Sequence, residues 1–73
     1  MNKSFREPIF KSGNIELRFE KNVICIYGTK EGLIELANII GTLVSNPGAG
    51  HIHLEDCLIL TKDSEKGAVA IFE

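Results

Sequence analysis

Only one segment of the chain, residues 29–45, is long and periodic enough to form a full helix, and this limits the fold to one helix set against strands. Leu33, Leu36, Ala37, Ile40, Leu43 and Val44 recur at steps of three and four, so at about 100° per residue they share one stripe. Glu31, Glu35, Asn38 and Thr42 fall on the opposite, watered side. Thr29 can accept a hydrogen bond from a free backbone N–H at the helix start, and Glu31 suits the positive first turn. Asn46-Pro47-Gly48 stops the helix, because Pro47 disfavours a helical residue before it and offers no N–H. Gly32 and Gly41 lie inside the segment, each weakening it by up to about 1 kcal/mol relative to Ala while permitting close packing.

The remaining periodic stretches read as strands. From 15 to 20, Ile15, Leu17 and Phe19 alternate with Glu16, Arg18 and Glu20, the pattern of a strand with one dry face and one wet face. Lys21-Asn22 is short enough for a two-residue hairpin turn, its type unspecified because it lacks Gly, so residues 23–27 should return antiparallel. Those five residues are apolar throughout and rich in β-branched side chains, which predicts an interior strand with both faces at least partly covered. After a loop at 46–50, Ile52 and Leu54 alternate with His51, His53 and Glu55. Asp56 and Cys57 carry a bulge or bend before residues 58–61, where the alternation changes register. Residues 62–67 form a polar turn, and 68–72 a terminal strand. Pro8 confines residues 5–11 to an edge strand or a loose arm.

The predicted fold class is therefore α+β. It is a two-layer sandwich with one helix on a largely antiparallel sheet of four strands, or five if the start adds an edge, in the order β-β-α-β-β. The whole of 1–73 forms one domain, with 1–12 as its edge strand or arm. A single helix can cover only one face of such a sheet. Yet the strand at 23–27 is apolar on both sides, and Ile34 and Ile39 fall outside the helical stripe. Bare apolar area of this kind marks a contact surface, so Val23, Cys25, Tyr27, Ile34 and Ile39 are candidates for self-association in a homodimer.

Composition narrows the functional classes. Eight Lys and Arg against ten Asp and Glu leave a net charge of −2, without the dense basic patch that binding to nucleic acid uses. Cys25 and Cys57 lack the spacing of a zinc site and the density of a disulfide scaffold, which fits free thiols in a reducing cytoplasm. No apolar leader follows Lys3 and Arg6, and no apolar run approaches the roughly 20 residues that span a bilayer. Neither membrane insertion nor a cofactor is expected.

Catalytic chemistry finds little purchase. Cys25 sits in an apolar strand, and Cys57 lies beside Glu55 and Asp56, whose charges disfavour a thiolate. Ser4, Ser12, Ser45 and Ser64 lie in polar turns without a nucleophile elbow. Gly48-Ala49-Gly50 follows a helix and enters a strand, the reverse of a phosphate-binding order. The most suggestive stretch is 50–57. On a strand, His51 and His53 project to one face about 7 Å apart, a spacing two ligands of one metal could use, with Glu55 next in the row. The same row also describes the wet face of a strand whose Ile52 and Leu54 point at the helix. Glu31 and Glu35 read as a solvated helix surface or as a contact for a basic partner.

Taken together, several segments resemble the immunity protein 32 family of small bacterial proteins. They are the strand ending in Tyr27-Gly28-Thr29, the helix opening with Glu31-Gly32-Leu33 and continuing through Leu36-Ala37, the segment Gly50-His51-Ile52-His53-Leu54-Glu55, and the short closing strand. The resemblance covers about residues 13–73. It implies a cytoplasmic, non-catalytic protein encoded beside a polymorphic toxin, which binds that cognate toxin and blocks it. It assigns a partner-binding role to His51, His53 and Glu55; Asp56, Glu31 and Glu35 are further partner-binding candidates from their charge and not from the resemblance. A mildly acidic inhibitor suits a basic target such as a nuclease.

Overall fold

The computed structural model describes residues 12–72. Strand β1 (Ile15–Glu20) turns through Lys21 and Asn22 into β2 (Val23–Gly28), and helix α1 (Lys30–Ser45) follows. A 3-10 turn at Pro47–Ala49 leads to β3 (His51–His53), a second at Leu54–Cys57 follows, and β4 (Ala68–Ala70) closes the described chain. The fold is α+β. Its strands form two antiparallel two-stranded sheets, β1-β2 and β3-β4, where the sequence predicts a single larger sheet. An isolated parallel bridge between Ile15 and Leu60 lies between them. The expected edge at residues 5–11 lies outside the described residues.

The helix starts as its sequence dictates. The Thr29 hydroxyl accepts from the N–H of Gly32 at 3.0 Å and also from the N–H of Gly13 at 3.0 Å, while the Thr29 N–H donates to the Asn14 carbonyl at 3.2 Å. The cap therefore ties the helix to the turn before β1. At the other end the N–H of Asn46 reaches the carbonyls of Thr42 and Leu43, and Pro47 stops further winding.

The buried seam of α1 differs from the predicted stripe. Gly32, Leu36 and Leu43 are buried and Ile39 is half-buried, whereas Leu33, Ala37, Ile40 and Val44 remain exposed. Gly32 explains the rotation: its backbone lies against Asn14 so closely that a Cβ would meet the Asn14 carbonyl oxygen at 2.2 Å. The helix turns that face inward, and Ile39, four residues short of Leu43, comes with it. Ile39 packs on the core of Ile15, Leu36, Leu54 and Ile59, so it is a core contact rather than a surface free for self-association.

The hairpin turn is tighter than its composition favours. Lys21 and Asn22 both have positive φ, 51° and 63°, the backbone of a type I′ turn, whose twist matches the strands it joins. Asn accepts this conformation readily and Lys does not.

Two further predictions are corrected. Residues 58–61 do not form a strand: Leu58 takes a left-handed conformation with φ 61° and is 90% exposed, leaving only the bridge at Leu60. The segment 51–55 is a strand only to His53, because the chain winds into a 3-10 turn at Leu54. That turn occupies the place of the expected bulge.

Candidate binding surface

Alternation along β1 predicts a wet Glu16-Arg18-Glu20 face and a dry Ile15-Leu17-Phe19 face; the structure keeps Ile15 buried and Leu17 on the core but departs at Glu16 and Phe19. Glu16 is 2% exposed, while Phe19 is 64% exposed. The Glu16 carboxylate accepts from the Thr61 hydroxyl on one oxygen and from Arg18 on the other. Arg18 also donates to Glu20 at 3.1 Å, and the Tyr27 hydroxyl donates to Glu20 at 2.9 Å. Buried polar groups are tolerated when every one is paired, and this chain of contacts satisfies that condition. Burial of the guanidinium works against the charge of Arg18, but the hydrogen bonds and charges of Glu16 and Glu20 outweigh it and raise its pKa. Desolvation, followed by the Glu20 hydrogen bond, pushes the Tyr27 phenol up to about 12.

Beyond Ile15 and Leu17, which pack on the core, the apolar side of the hairpin faces outward. Leu17 pairs with Ile26 and Phe19 with Ile24, so the four lie on one side, and Ile24 is 78% exposed. Between this side and the exposed flank of α1 runs an open groove of about 710 Å³, floored by Leu17, Phe19, Ile24, Ile26, Leu36 and Ile40. Arg18, Glu65 and Lys66 supply its charged rim. The strand predicted as interior is thus an edge strand bare on its apolar side, with Val23 exposed and Cys25 and Tyr27 half-buried on the other. Ile34 is exposed on the helix.

Comparison of the chain with protein-family models, curated proteins and solved structures returns no match. The site must therefore be read from its own geometry.

The histidine row sits elsewhere. Ile52 pairs with Val69, which packs on the core, so His51 and His53, paired with Ala70 and Ala68, project outward. Their rings meet edge to face at 4.9 Å between centroids, and His53 Nδ1 lies 3.3 Å from a Glu55 oxygen. Among the described residues no group of three or more His, Cys, Asp and Glu side chains is placed to hold a metal ion. Glu55 is instead engaged with backbone. Its own N–H, the N–H of Gly67 at 3.3 Å and the charge of His53 outweigh desolvation and hold its carboxyl below the usual range. Asp56 is exposed beside it.

Glu31 and Glu35 are exposed on α1, and Glu31 accepts from Ser12 at 3.3 Å. The structure places them on the helix and the histidine row on β3, as separate features. The sequence reading missed the groove, because Phe19, Ile24 and Ile26 looked like core. It also missed the Glu16–Arg18–Glu20–Tyr27 chain, for which the only signal was the placement of opposite charges two residues apart on one strand face. Among the described residues no helix is long and apolar enough to cross a membrane.

Proposed function

We propose that the chain is a non-catalytic binding domain that acts by covering another protein, and that it serves as an immunity protein neutralising a cognate bacterial toxin in the cytoplasm. The observation that carries the reading is the bare apolar side of the hairpin, where Phe19, Ile24 and Ile26 remain exposed beside a groove. A domain of this size gains too little from its small core to leave such side chains in water without a use. An inhibitor needs surface rather than reactive groups, and Glu16, Arg18, Glu20 and Tyr27 of the hairpin are engaged in hydrogen bonds within the fold. The net charge of −2, with Glu55 and Asp56 on one side and Glu31 and Glu35 on the helix, favours a basic target through complementarity and steering. His51 and His53 then serve as rim contacts.

The test is co-expression with the product of the neighbouring reading frame, followed by affinity capture and a growth assay. Capture of that product together with rescue of growth is expected. A neighbouring product that is neither captured nor neutralised overturns the immunity role.

A further inference from the structure

β1 uses its outward backbone groups within the chain. The Ile15 N–H donates to Ile59 at 2.8 Å and the Ile15 carbonyl accepts from Thr61 at 3.0 Å. The Leu17 N–H donates to the Ser64 hydroxyl at 2.8 Å, and the Leu17 carbonyl accepts from Glu65 at 2.9 Å. Because backbone groups alternate in direction along a strand, Glu16, Arg18 and Glu20 are the residues that bond to β2, through Tyr27, Cys25 and Val23. The N–H and C=O groups of Ile24 and Ile26 consequently point away from β1. Among the described residues no strand lies on that side.

Among the described residues nothing blunts this edge. From Val23 to Gly28 it carries no proline and no charged side chain, and its pairing with β1 is unbroken by a bulge. Proteins that keep an edge free of partners normally use one of these devices.

We propose that a second copy of the chain occupies this edge, its β2 running antiparallel to the first about a two-fold axis at Cys25. The two hairpins then form one continuous four-stranded sheet, β1-β2-β2-β1. The inference rests on reading the hairpin as a docking surface and is independent of any toxin. A copy fits this edge because it is uncharged and apolar, so no like charges meet across the axis. About Cys25, Ile24 of each copy faces Ile26 of the other and Val23 faces Tyr27. Each outward-directed donor and acceptor meets its counterpart, and equivalent side chains stay on the same side of the sheet. An isologous contact requires this reciprocity.

Area sets the expected strength. Edge-to-edge pairing covers the flanks of Val23, Ile24 and Ile26 and leaves Phe19, on β1, outside the seam, so a pair stays below the roughly 1,000 Å² at which stable specific interfaces begin. Association should therefore be reversible and concentration-dependent.

The experiment is sedimentation equilibrium of the full chain from about 10 μM to about 1 mM, joined to thiol crosslinking. The mass should climb from 8.0 kDa toward twice that value. At the axis the two Cys25 residues form a non-hydrogen-bonded pair, with Cα atoms about 4.5 Å apart, within disulfide reach. In a Cys57→Ser chain, diamide should take two protons and two electrons from the paired thiols, becoming its hydrazine and leaving a disulfide-linked dimer. Ile24→Lys, at a position exposed enough to leave the fold intact by circular dichroism, should weaken association at least tenfold. A mass of one chain at about 1 mM overturns the proposal, as does a dimer that neither crosslinks through Cys25 nor weakens with Ile24→Lys. Dimerisation without capture of the neighbouring product leaves this proposal standing and removes the immunity role; capture by a strictly monomeric chain does the reverse.

Discussion

Gly32 lies directly on Asn14: a Cβ added to the glycine would stand 2.2 Å from the Asn14 carbonyl oxygen and 2.7 Å from its carbonyl carbon. Backbone cannot yield as a side-chain tip can. The Gly32→Ala chain should lose about 1–3 kcal/mol of stability, as overpacking against a fixed neighbour does. Gly41 has nothing within 4 Å of such a Cβ, so Gly41→Ala should gain up to about 1 kcal/mol from helix propensity. Urea midpoints of the two variants, moving in opposite directions, check this.

The hairpin turn offers a second stabilising change. Lys21 at φ 51° bears a left-handed backbone that a glycine or asparagine carries at lower cost. Replacing Lys21-Asn22 with Asn-Gly, the pair that type I′ turns favour, should raise stability by about 1 kcal/mol. A higher thermal midpoint with unchanged circular dichroism is the expected result.

Glu16 should be the costliest polar position to lose. Its carboxylate is buried and held by Thr61 and Arg18, so Glu16→Ala leaves a partly buried guanidinium with Glu20 alone. A loss of about 3 kcal/mol is expected, against about 1 kcal/mol for Thr61→Val, which removes a single hydrogen bond to the same group. Chemical denaturation of both chains would show the order.

Tyr27 is the chain's one tyrosine, so its ionisation can be followed directly by phenolate absorbance. The folded protein should titrate near 12, and the urea-unfolded chain near the ordinary value of about 10. A folded-state pKa raised above the unfolded one contributes stability that is complete below pH 10 and is lost as pH climbs toward 12. Tyr27→Phe should remove that part of the alkaline decline, measured as unfolding free energy against pH.

The helix and the hairpin were legible in the sequence because their signals are local. Thr29, Pro47 and a two-residue connection act within a few positions of themselves. The rest depended on distant partners. Alternation alone makes Glu16 a wet residue, and what buries it is Thr61, 45 positions away. Ile39 sat off the apolar stripe until the contact of Gly32 with Asn14 fixed the helix rotation. Strand β2 read as interior because its side chains are apolar on both sides, yet periodicity carries no information on whether a neighbour is present. Of the candidate site, the exposure of His51, His53, Glu31 and Glu35 followed from pattern. The groove did not, since its walls come from the hairpin, the helix and residues 65–69, segments far apart in sequence that no local spacing brings together.

The Ile15 N–H donates to the Ile59 carbonyl and the Ile15 carbonyl accepts from the Thr61 N–H, so the most deeply buried side chain among the described residues waits for a segment far along the sequence. Hairpin and helix can assemble early, but closure of the core requires a long-range loop, the slow kind of step in small domains. A chain made only as far as residue 58 would therefore keep its oily interior open, and its folding would be timed by the arrival of the segment that begins at Ile59.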